Sequence, residues 1–333
     1  MNKISIFIPV FKESKYLENL LKKILRDPYK YKEIFVLIDE PSNNTLSLVK
    51  KYQKEIKFII NKKRIGKVNA INKNLDRATG NIILFLDSDI KISQKNFLET
   101  IIREINDTDL LDLKKEVIQE SFLSKLIQYE YLTYNIVNYI LSKKIGESYM
   151  INGAGFAVKK EFIKKMGGLP KLIVEDVGLA LEVIKNNLKF KFTDKVKIKT
   201  GVPNTFKSYF KQRMRWGFGG GEVIREYLFY LKNFILKNSL IVLPTIFLYY
   251  PSFIIFILLF ISFFNFLLGL YGLIFFLLAI LSLLLSFSKK LNIKINFLYL
   301  PIYFVYTLFS FFILFFYSIK GFRRKIIRMK WKI

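Results

Sequence analysis

The stretch Ile82-Ile83-Leu84-Phe85-Leu86-Asp87-Ser88-Asp89 decides the fold. A run of apolar, strand-forming residues ends abruptly in two carboxylates separated by one residue, which reads as a buried strand with ligand groups at its carboxyl end. In an open α/β sheet, ligands gather outside the carboxyl ends of the strands, so Asp87 and Asp89 are expected at the mouth of a nucleotide-binding crevice. A divalent cation on such carboxylate oxygens suits a diphosphate. Taken alone, Asp-Ser-Asp is equally a solvated turn capping a strand, so the weight lies in its surroundings.

Those surroundings alternate between strand and helix. Ile4 to Val10 is an apolar run containing Pro9, Tyr16 to Leu25 has helical spacing, and Ile34 to Ile38 is a second strand ending in Asp39. Phe58 to Ile60 is a third strand, Lys67 to Ala78 reads as a helix, and Gly80 introduces the strand that carries Asp87. The alternation predicts an α/β fold with a doubly wound, mainly parallel mixed sheet. Glu13, Asp39 and Asp87 recur at corresponding strand ends, which predicts one shared site.

Composition narrows the chemistry. The 333 residues contain no Cys and no His, which excludes disulfides, thiolate or imidazole metal sites and Ser-His or Cys-His nucleophiles. Catalysis would rest on Asp, Glu, Lys, Arg and Tyr. Lys and Arg number 54 against 26 Asp and Glu, a formal charge of +28, yet the chain is 52% hydrophobic with 34 Phe. The basic residues are dispersed and accumulate beside apolar stretches, which fits anionic membrane lipid and argues against nucleic acid as a partner.

From about Leu240 the chain is almost uncharged until Lys289, and it is apolar again from about Ile295 to Ile319. These stretches are long enough for two membrane spans followed by one more. Because the sequence opens on a strand pattern, the first two hundred residues are expected to stay cytoplasmic. The basic residues Arg323, Arg324, Lys325, Arg328, Lys330 and Lys332 belong on the cytoplasmic side, whereas three crossings would leave them outside. A re-entrant or interfacial stretch, or a different division of the long segment, would give an even number. The expected organisation is a catalytic domain over 1–203, amphipathic interfacial helices over 204–237, about three apolar membrane segments over 238–320, and a basic tail over 321–333.

Several short motifs stand in order. Ile8-Pro9-Val10-Phe11-Lys12-Glu13 is followed by Asp39-Glu40, by Gly66-Lys67 with Asn69, Ala70 and Asn72, and by Gly80 through Asp89. Asn152-Gly153-Ala154-Gly155, Gly167-Gly168-Leu169, Glu175-Asp176 and Gln212-Arg213-Met214-Arg215-Trp216 complete the set. The order resembles the GT-A-fold, family 2 glycosyltransferases over roughly residues 1 to 235, in particular membrane synthases of hyaluronan, cellulose and poly-N-acetylglucosamine and related glycolipid-forming enzymes.

That resemblance implies roles. Asp89 would hold Mg2+ or Mn2+, Asp87 would sit near the ribose, and Asp39 and Glu13 would grip the base end of a nucleotide sugar, with UDP favoured. Pro9 and Lys67 would border the donor pocket, although Lys67 also reads as a solvated lysine at a helix start. Asp176, paired with Glu175, would accept the proton of an acceptor hydroxyl. Val174-Glu175-Asp176 reads equally as a helix start favoured by the helix dipole.

Gly153 and the Gln-x-x-Arg-Trp element would face the acceptor and the diphosphate. Gln212, Arg215 and Trp216 share a helix face, and Arg213 is expected with them at that end of the site. Arg215 can pair with phosphate oxygens and Trp216 can offer a flat surface to a sugar, or lie at headgroup level. Phe206, Phe210, Met214 and Phe218 form an i+4 stripe expected to lie on the membrane. Gly219-Gly220-Gly221 is expected to break this helix, with a second interfacial helix from Val223 to Ile235.

Two departures from the family pattern are Glu40, where a second aspartate is usual, and Thr200-Gly201-Val202 before Pro203, where many relatives carry an acid. The resulting expectation is an inverting, metal-dependent transferase acting on a saccharide or lipid acceptor. Transfer to a polyprenyl phosphate and a catalytically silent membrane protein of the same fold are the alternatives.

Overall fold

The structure is a computed structural model that describes residues 2–323. Its amino-terminal part runs Ile4–Phe11 (β1), Leu17–Leu25 (α1), Lys32–Asp39 (β2), Asn43–Tyr52 (α2), Lys57–Asn61 (β3), Lys67–Asn72 (α3), Ile82–Leu86 (β4), Ile90–Lys91 (β5) and Phe97–Glu104 (α4). It continues through Leu110–Val117 (β6), Phe122–Lys144 (α5), Gly155–Lys159 (β7), Lys160–Lys165 (α6), Glu175–Lys185 (α7) and Phe190–Thr200 (β8). The eight strands form one mixed sheet in the order β3-β2-β1-β4-β7-β6-β8-β5.

Strands β3, β2, β1 and β4 are parallel; β2, β1 and β4 are covered on both faces, as their apolar runs predict, and β3 is a partly exposed edge. Alternation sorts their side chains. Ile4, Ile6 and Ile8 join Leu17, Leu20, Leu21 and Ile24 of α1 in one core, whereas Phe7, Phe35 and Phe85 join residues of α5 and α7 in the other. Phe35, Phe7, Phe85 and Phe156 form a ladder across β2, β1, β4 and β7, with successive centroids 4.8, 6.0 and 5.0 Å apart. Register brings Phe11 beside Asp39 and Asp39 beside Asn61, so the carboxyl ends of β1, β2 and β3 finish level.

The other half of the sheet is antiparallel about β7, which pairs with both β4 and β6. It had no counterpart in the sequence pattern, because β6 carries buried Asp112, Lys114 and Lys115. Lys115 is paired with Asp112, Asn138 donates to Asp112 at 2.9 Å, and Lys114 donates to the Leu291 carbonyl at 2.8 Å. The helix expected over Lys67 to Ala78 is shorter. It stops at Asn72, and a 3₁₀ turn over Leu75–Arg77 follows Asn74, whose φ of −117° is not helical.

Beyond the sheet lie Phe206–Lys237 (α8), Ser239–Tyr249 (α9), Pro251–Phe264 (α10), Phe266–Lys290 (α11) and Leu300–Arg323 (α12). Thr205 and Ser208 form a capping box at the start of α8. The break expected at Gly219-Gly220-Gly221 does not occur. The helix runs through the triplet, and its irregular point is Tyr227, at φ −119° and ψ 15°.

The glycines serve contact between helices instead. A Cβ on Gly217 would lie 2.8 Å from the Leu314 carbonyl of α12, one on Gly221 would overlap the Ser318 carbonyl, and one on Gly321 would overlap the Phe218 carbonyl. Small residues on both helices therefore let the two backbones approach directly.

The long apolar segment also divides differently from expectation. Pro251 starts α10 and the Asn265 side chain caps α11, so residues 239–290 form helices of 11, 14 and 25 residues. A 14-residue helix is about 21 Å long, short of the ~30 Å hydrocarbon core. Two helices are long and apolar enough to cross a membrane, Phe266–Lys290 and Phe297–Arg323, the latter including the 3₁₀ turn before α12. The count rises to three if α8 and α9, bent by 113°, are taken as one broken span. Only 17% of the most apolar window of α11 is buried, so its hydrophobic surface faces outward. Of the basic carboxyl-terminal residues, Arg324, Lys325, Arg328, Lys330 and Lys332 lie outside the described residues.

The close α8–α12 crossing yields a prediction. Gly221→Val sets a branched side chain against the α12 backbone and should cost about 1–3 kcal/mol, as overpacking does. Thermal melting in detergent should show the loss, and Gly220→Ala, whose Cβ would have 3.5 Å to Ser318 Oγ, should melt close to wild type.

Candidate active site

Three chain segments meet at the carboxyl edge of β4. Its last residue, Leu86, leads to Asp87, whose backbone N–H bonds the Ala154 carbonyl at 3.0 Å and so ties the strand end to the Asn152–Gly155 loop. Lys67, the first residue of α3, donates to Asp87 Oδ1 at 2.8 Å and pairs with Glu175 Oε1 at 2.9 Å. The ammonium group therefore joins the β4 end to the start of α7. Burial opposes its charge, but Asp87 and Glu175 outweigh burial and hold Lys67 well above the ordinary lysine range.

Glu175 and Asp176 are neighbours with opposite electrostatics. Burial alone would raise Glu175, yet Lys67, reinforced by Arg215 of α8, holds its carboxyl below the usual value. Asp176 is pushed up to about 6, first by burial and then by the charge of Glu175. It accepts from the backbone N–H of Gly153 at 2.6 Å and of Val177 at 2.9 Å. A Cβ on Gly153 would sit 2.8 Å from Asp176 Oδ2, so only glycine leaves the carboxylate where it is.

Asp89 is half-buried, and its Oδ1, which is buried, has no hydrogen-bond partner among the described residues. Burial, with the charge of Asp87 added, raises it to about 7. An orphaned buried carboxylate oxygen fits a cation site. No group of three or more acidic residues suited to a metal occurs among the described residues, so a cation here would draw further ligands from phosphate and water, the usual arrangement for Mg2+. Gly201 closes this corner. Its N–H donates to the Asp89 carbonyl at 3.0 Å, and a Cβ there would lie 3.1 Å from Oδ2. The departure from the family pattern at this position thus abuts Asp89.

Asp39 is buried and occupied. Its carboxylate accepts from Asn61 Nδ2 at 3.0 Å, Ile65 N at 3.0 Å and Gly66 N at 2.7 Å, and Gly66 takes a φ of 88° to present its N–H. Glu13 is exposed and accepts from Ser42 Oγ at 2.7 Å and Asn44 Nδ2 at 3.3 Å at the start of α2. Pro9 is half-buried in β1 opposite Leu37. On the acceptor side, Asn72 clasps Leu169 through Nδ2 to its carbonyl at 2.9 Å and Oδ1 from its N–H at 2.8 Å. A cavity of about 750 Å³ opens beside Gly167 and Gly168, bounded across from them by Glu222 and Tyr227 of α8.

In the Gln-x-x-Arg-Trp element, Gln212, Arg215 and Trp216 are half-buried. Arg213 is not available to a diphosphate. It is 1% exposed, and its guanidinium is taken by Glu130 of α5 and by the Tyr306 hydroxyl of α12 at 3.3 Å. Glu130 was missed in sequence, although it is the one acid in a 23-residue helix and a buried acid requires a partner.

Removing Lys67 should expose the charge balance. In Lys67→Met, Glu175 loses its main cation, and at pH 7 the fold should lose about 1–3 kcal/mol, less than for a fully buried pair because Lys67 is only partly buried. The depressed Glu175 contributes stability above its unfolded value that disappears as pH falls. The raised Asp176 does the opposite, and its contribution fades as pH rises through about 6. Lys67 also holds Asp176 down, so in the variant Asp176 rises further, and melting in detergent should show the variant gaining stability relative to wild type as pH falls from 7 to 5.

Comparisons with known proteins bear on the fold that carries these residues. A poly-β-1,6-N-acetyl-D-glucosamine synthase of Staphylococcus epidermidis is 25% identical over 229 residues, 66% of this chain and 55% of that protein. A Bacillus subtilis protein named "Probable glycosyltransferase YdaM" is 25% identical over 267 residues, 76% of this chain and 63% of that protein. The chain therefore spans little more than half the length of these relatives. The mannosyltransferase PcManGT of Pyrobaculum calidifontis, solved with GDP-Man and Mn2+, has the same fold, with a TM-score of 0.65 at 16% identity over 97% of this chain and 87% of that one. The family model described as "Glycosyl transferase family 2" matches residues 5–166, from β1 to the end of α6, and this stretch is similar to that family.

Proposed function

We propose that the protein is a membrane-bound, inverting glycosyltransferase that moves a sugar from a nucleotide-sugar donor, with a UDP-sugar favoured, to a hydroxyl of a growing saccharide or a glycolipid. The observation that carries this reading is the split between adjacent carboxylates. Glu175 is held ionised by Lys67, while Asp176 is raised to about 6 and bonded to the Gly153 N–H. Environments that drive two carboxyls apart mark acid–base assignments.

In one displacement the acceptor oxygen attacks the anomeric carbon, the bond to the diphosphate oxygen breaks, and the configuration inverts. The Asp176 carboxylate takes the hydroxyl proton as attack proceeds. Lys67 and Arg215 supply positive charge near the leaving diphosphate, Asp39, Glu13 and Pro9 border the donor, and Gly153, Gln212 and Trp216 border the acceptor. Mg2+ or Mn2+ held by Asp89 would neutralise charge on the leaving group. The synthase relative and the GDP-Man and Mn2+ of the structural neighbour support a saccharide acceptor, a nucleotide-sugar donor and a divalent metal.

In this reading residues 1–203 form the cytoplasmic catalytic domain, α8 lies at the membrane surface, and two crossings by α11 and α12 return the basic end of α12, with Lys320 and Arg323, to the cytoplasmic side. A polyprenyl phosphate would arrive already ionised and need no base, so the raised Asp176 favours a hydroxyl acceptor.

The test is nucleoside diphosphate release by the protein in detergent with native lipid, across UDP- and GDP-sugars with Mg2+ or Mn2+. Asp176→Asn and Asp89→Ala should each lose about 10²–10⁴-fold in turnover. Chelation should stop release, and kcat/KM should climb as pH rises through about 6. Near-normal turnover in Asp176→Asn would shift the acceptor to a phosphate, and no release from any donor would indicate a silent binding protein.

A further inference from the structure

Arg213 sits inside the Gln-x-x-Arg-Trp element at one of its unspecified positions, yet it has the most constrained side chain there. Its guanidinium donates to Glu130 Oε2, to the Tyr306 hydroxyl at 3.3 Å and to Gln212 Oε1 at 3.2 Å. Tyr306 closes the triangle by donating to Glu130 Oε1 at 3.0 Å. The guanidinium carbon lies 4.2 Å from the Trp216 ring centre and 4.5 Å from that of Tyr209, so the group is layered between two aromatic faces of its own helix. One side chain thus touches two acceptor-side residues, Gln212 and Trp216, and is anchored to α5 of the catalytic domain and to α12 of the apolar region.

This arrangement is poorly explained by stability alone. Burying an ion pair gains little over an apolar pair of similar volume. Arg213 Nε is also buried without a partner among the described residues, a cost that an apolar side chain would avoid. What the charged pair adds is direction, because a planar guanidinium fixes the groups that surround it.

We infer that Arg213, clamped by Glu130 and Tyr306, is a positioning residue that sets the orientation of Trp216 and Gln212 and so makes acceptor binding depend on where α12 sits. The acceptor consequence rests on the transferase reading above, whereas the orientation of Trp216 does not.

The experiment uses the full chain in detergent with Trp331→Phe, which leaves Trp216 as the single tryptophan, the sequence having two. Tyr306→Phe removes one hydroxyl, and Glu130→Gln removes the counter-charge. The paired substitution Glu130→Leu with Arg213→Met replaces the ion pair by apolar volume. All three should shift Trp216 emission to the red and increase its quenching by acrylamide. The paired variant should do so although its melting temperature returns close to that of wild type.

In transfer assays the acceptor KM should rise about tenfold while donor KM and kcat change less than about twofold, the signature of lost ground-state positioning. If the stable apolar pair restores both emission and acceptor KM, the ion pair is only packing and the inference falls. Unchanged emission in Tyr306→Phe and Glu130→Gln also overturns it. If the wild type transfers no sugar, the transferase reading fails, and Trp216 emission alone decides the positioning role.

Discussion

An ammonium group drawn partly out of water has to bring negative charge to itself, and Lys67 does so from two parts of the chain that are far apart in sequence. Asp87 comes from the end of the parallel half of the sheet and Glu175 from the start of α7, and the contact holds them in one place. Much of the site's electrostatics follows from this. With Glu175 charged, its neighbour Asp176 bears the repulsion and becomes the readily protonated member of the pair. The backbone N–H groups of Gly153 and Val177 keep that carboxylate in place without cancelling the effect. The end of β4 and the start of α7 are therefore linked electrostatically through one side chain.

The parallel strands β1, β2 and β4 were legible because they are buried on both faces, which leaves uninterrupted apolar runs, and because ligand groups stand at their ends. The same rule hid β6. A strand written Leu110-Leu111-Asp112-Leu113-Lys114-Lys115-Glu116-Val117 looks half solvated, yet Lys114 bonds a carbonyl 177 residues away and Asp112 is satisfied by Lys115 and Asn138. Local pattern carries no record of such partners.

The site divides in the same manner. Asp87, Asp89, Lys67, Glu175, Asp176 and Gly153 could be found as a motif set, and the structure brings them together. The enclosure of Arg213 could not be foreseen, since it depends on Glu130 and Tyr306. Gly219-Gly220-Gly221 was misleading for a different reason. Glycine in a helix weakens it in water, by about 1 kcal/mol relative to alanine, but it also permits backbone contact with a neighbouring helix. Here contact with α12 and with Val174 takes precedence over propensity. Tyr250-Pro251 and Asn265 acted in the opposite sense, dividing an apolar segment that reads as continuous when only its hydropathy is counted.

The dependence of α8 on α12 also has a consequence for biosynthesis. Tyr306 follows Arg213 by 93 residues, so at elongation rates of about 5–20 residues per second the catalytic helix leaves the ribosome roughly 5–20 s before its partner exists. During that interval the glycine face of α8, the Arg213 guanidinium and the Glu130 carboxylate are all without the surface that will cover them. The nascent sheet domain thus carries an open seam, which closes only once α12 has been made and has folded back against α8.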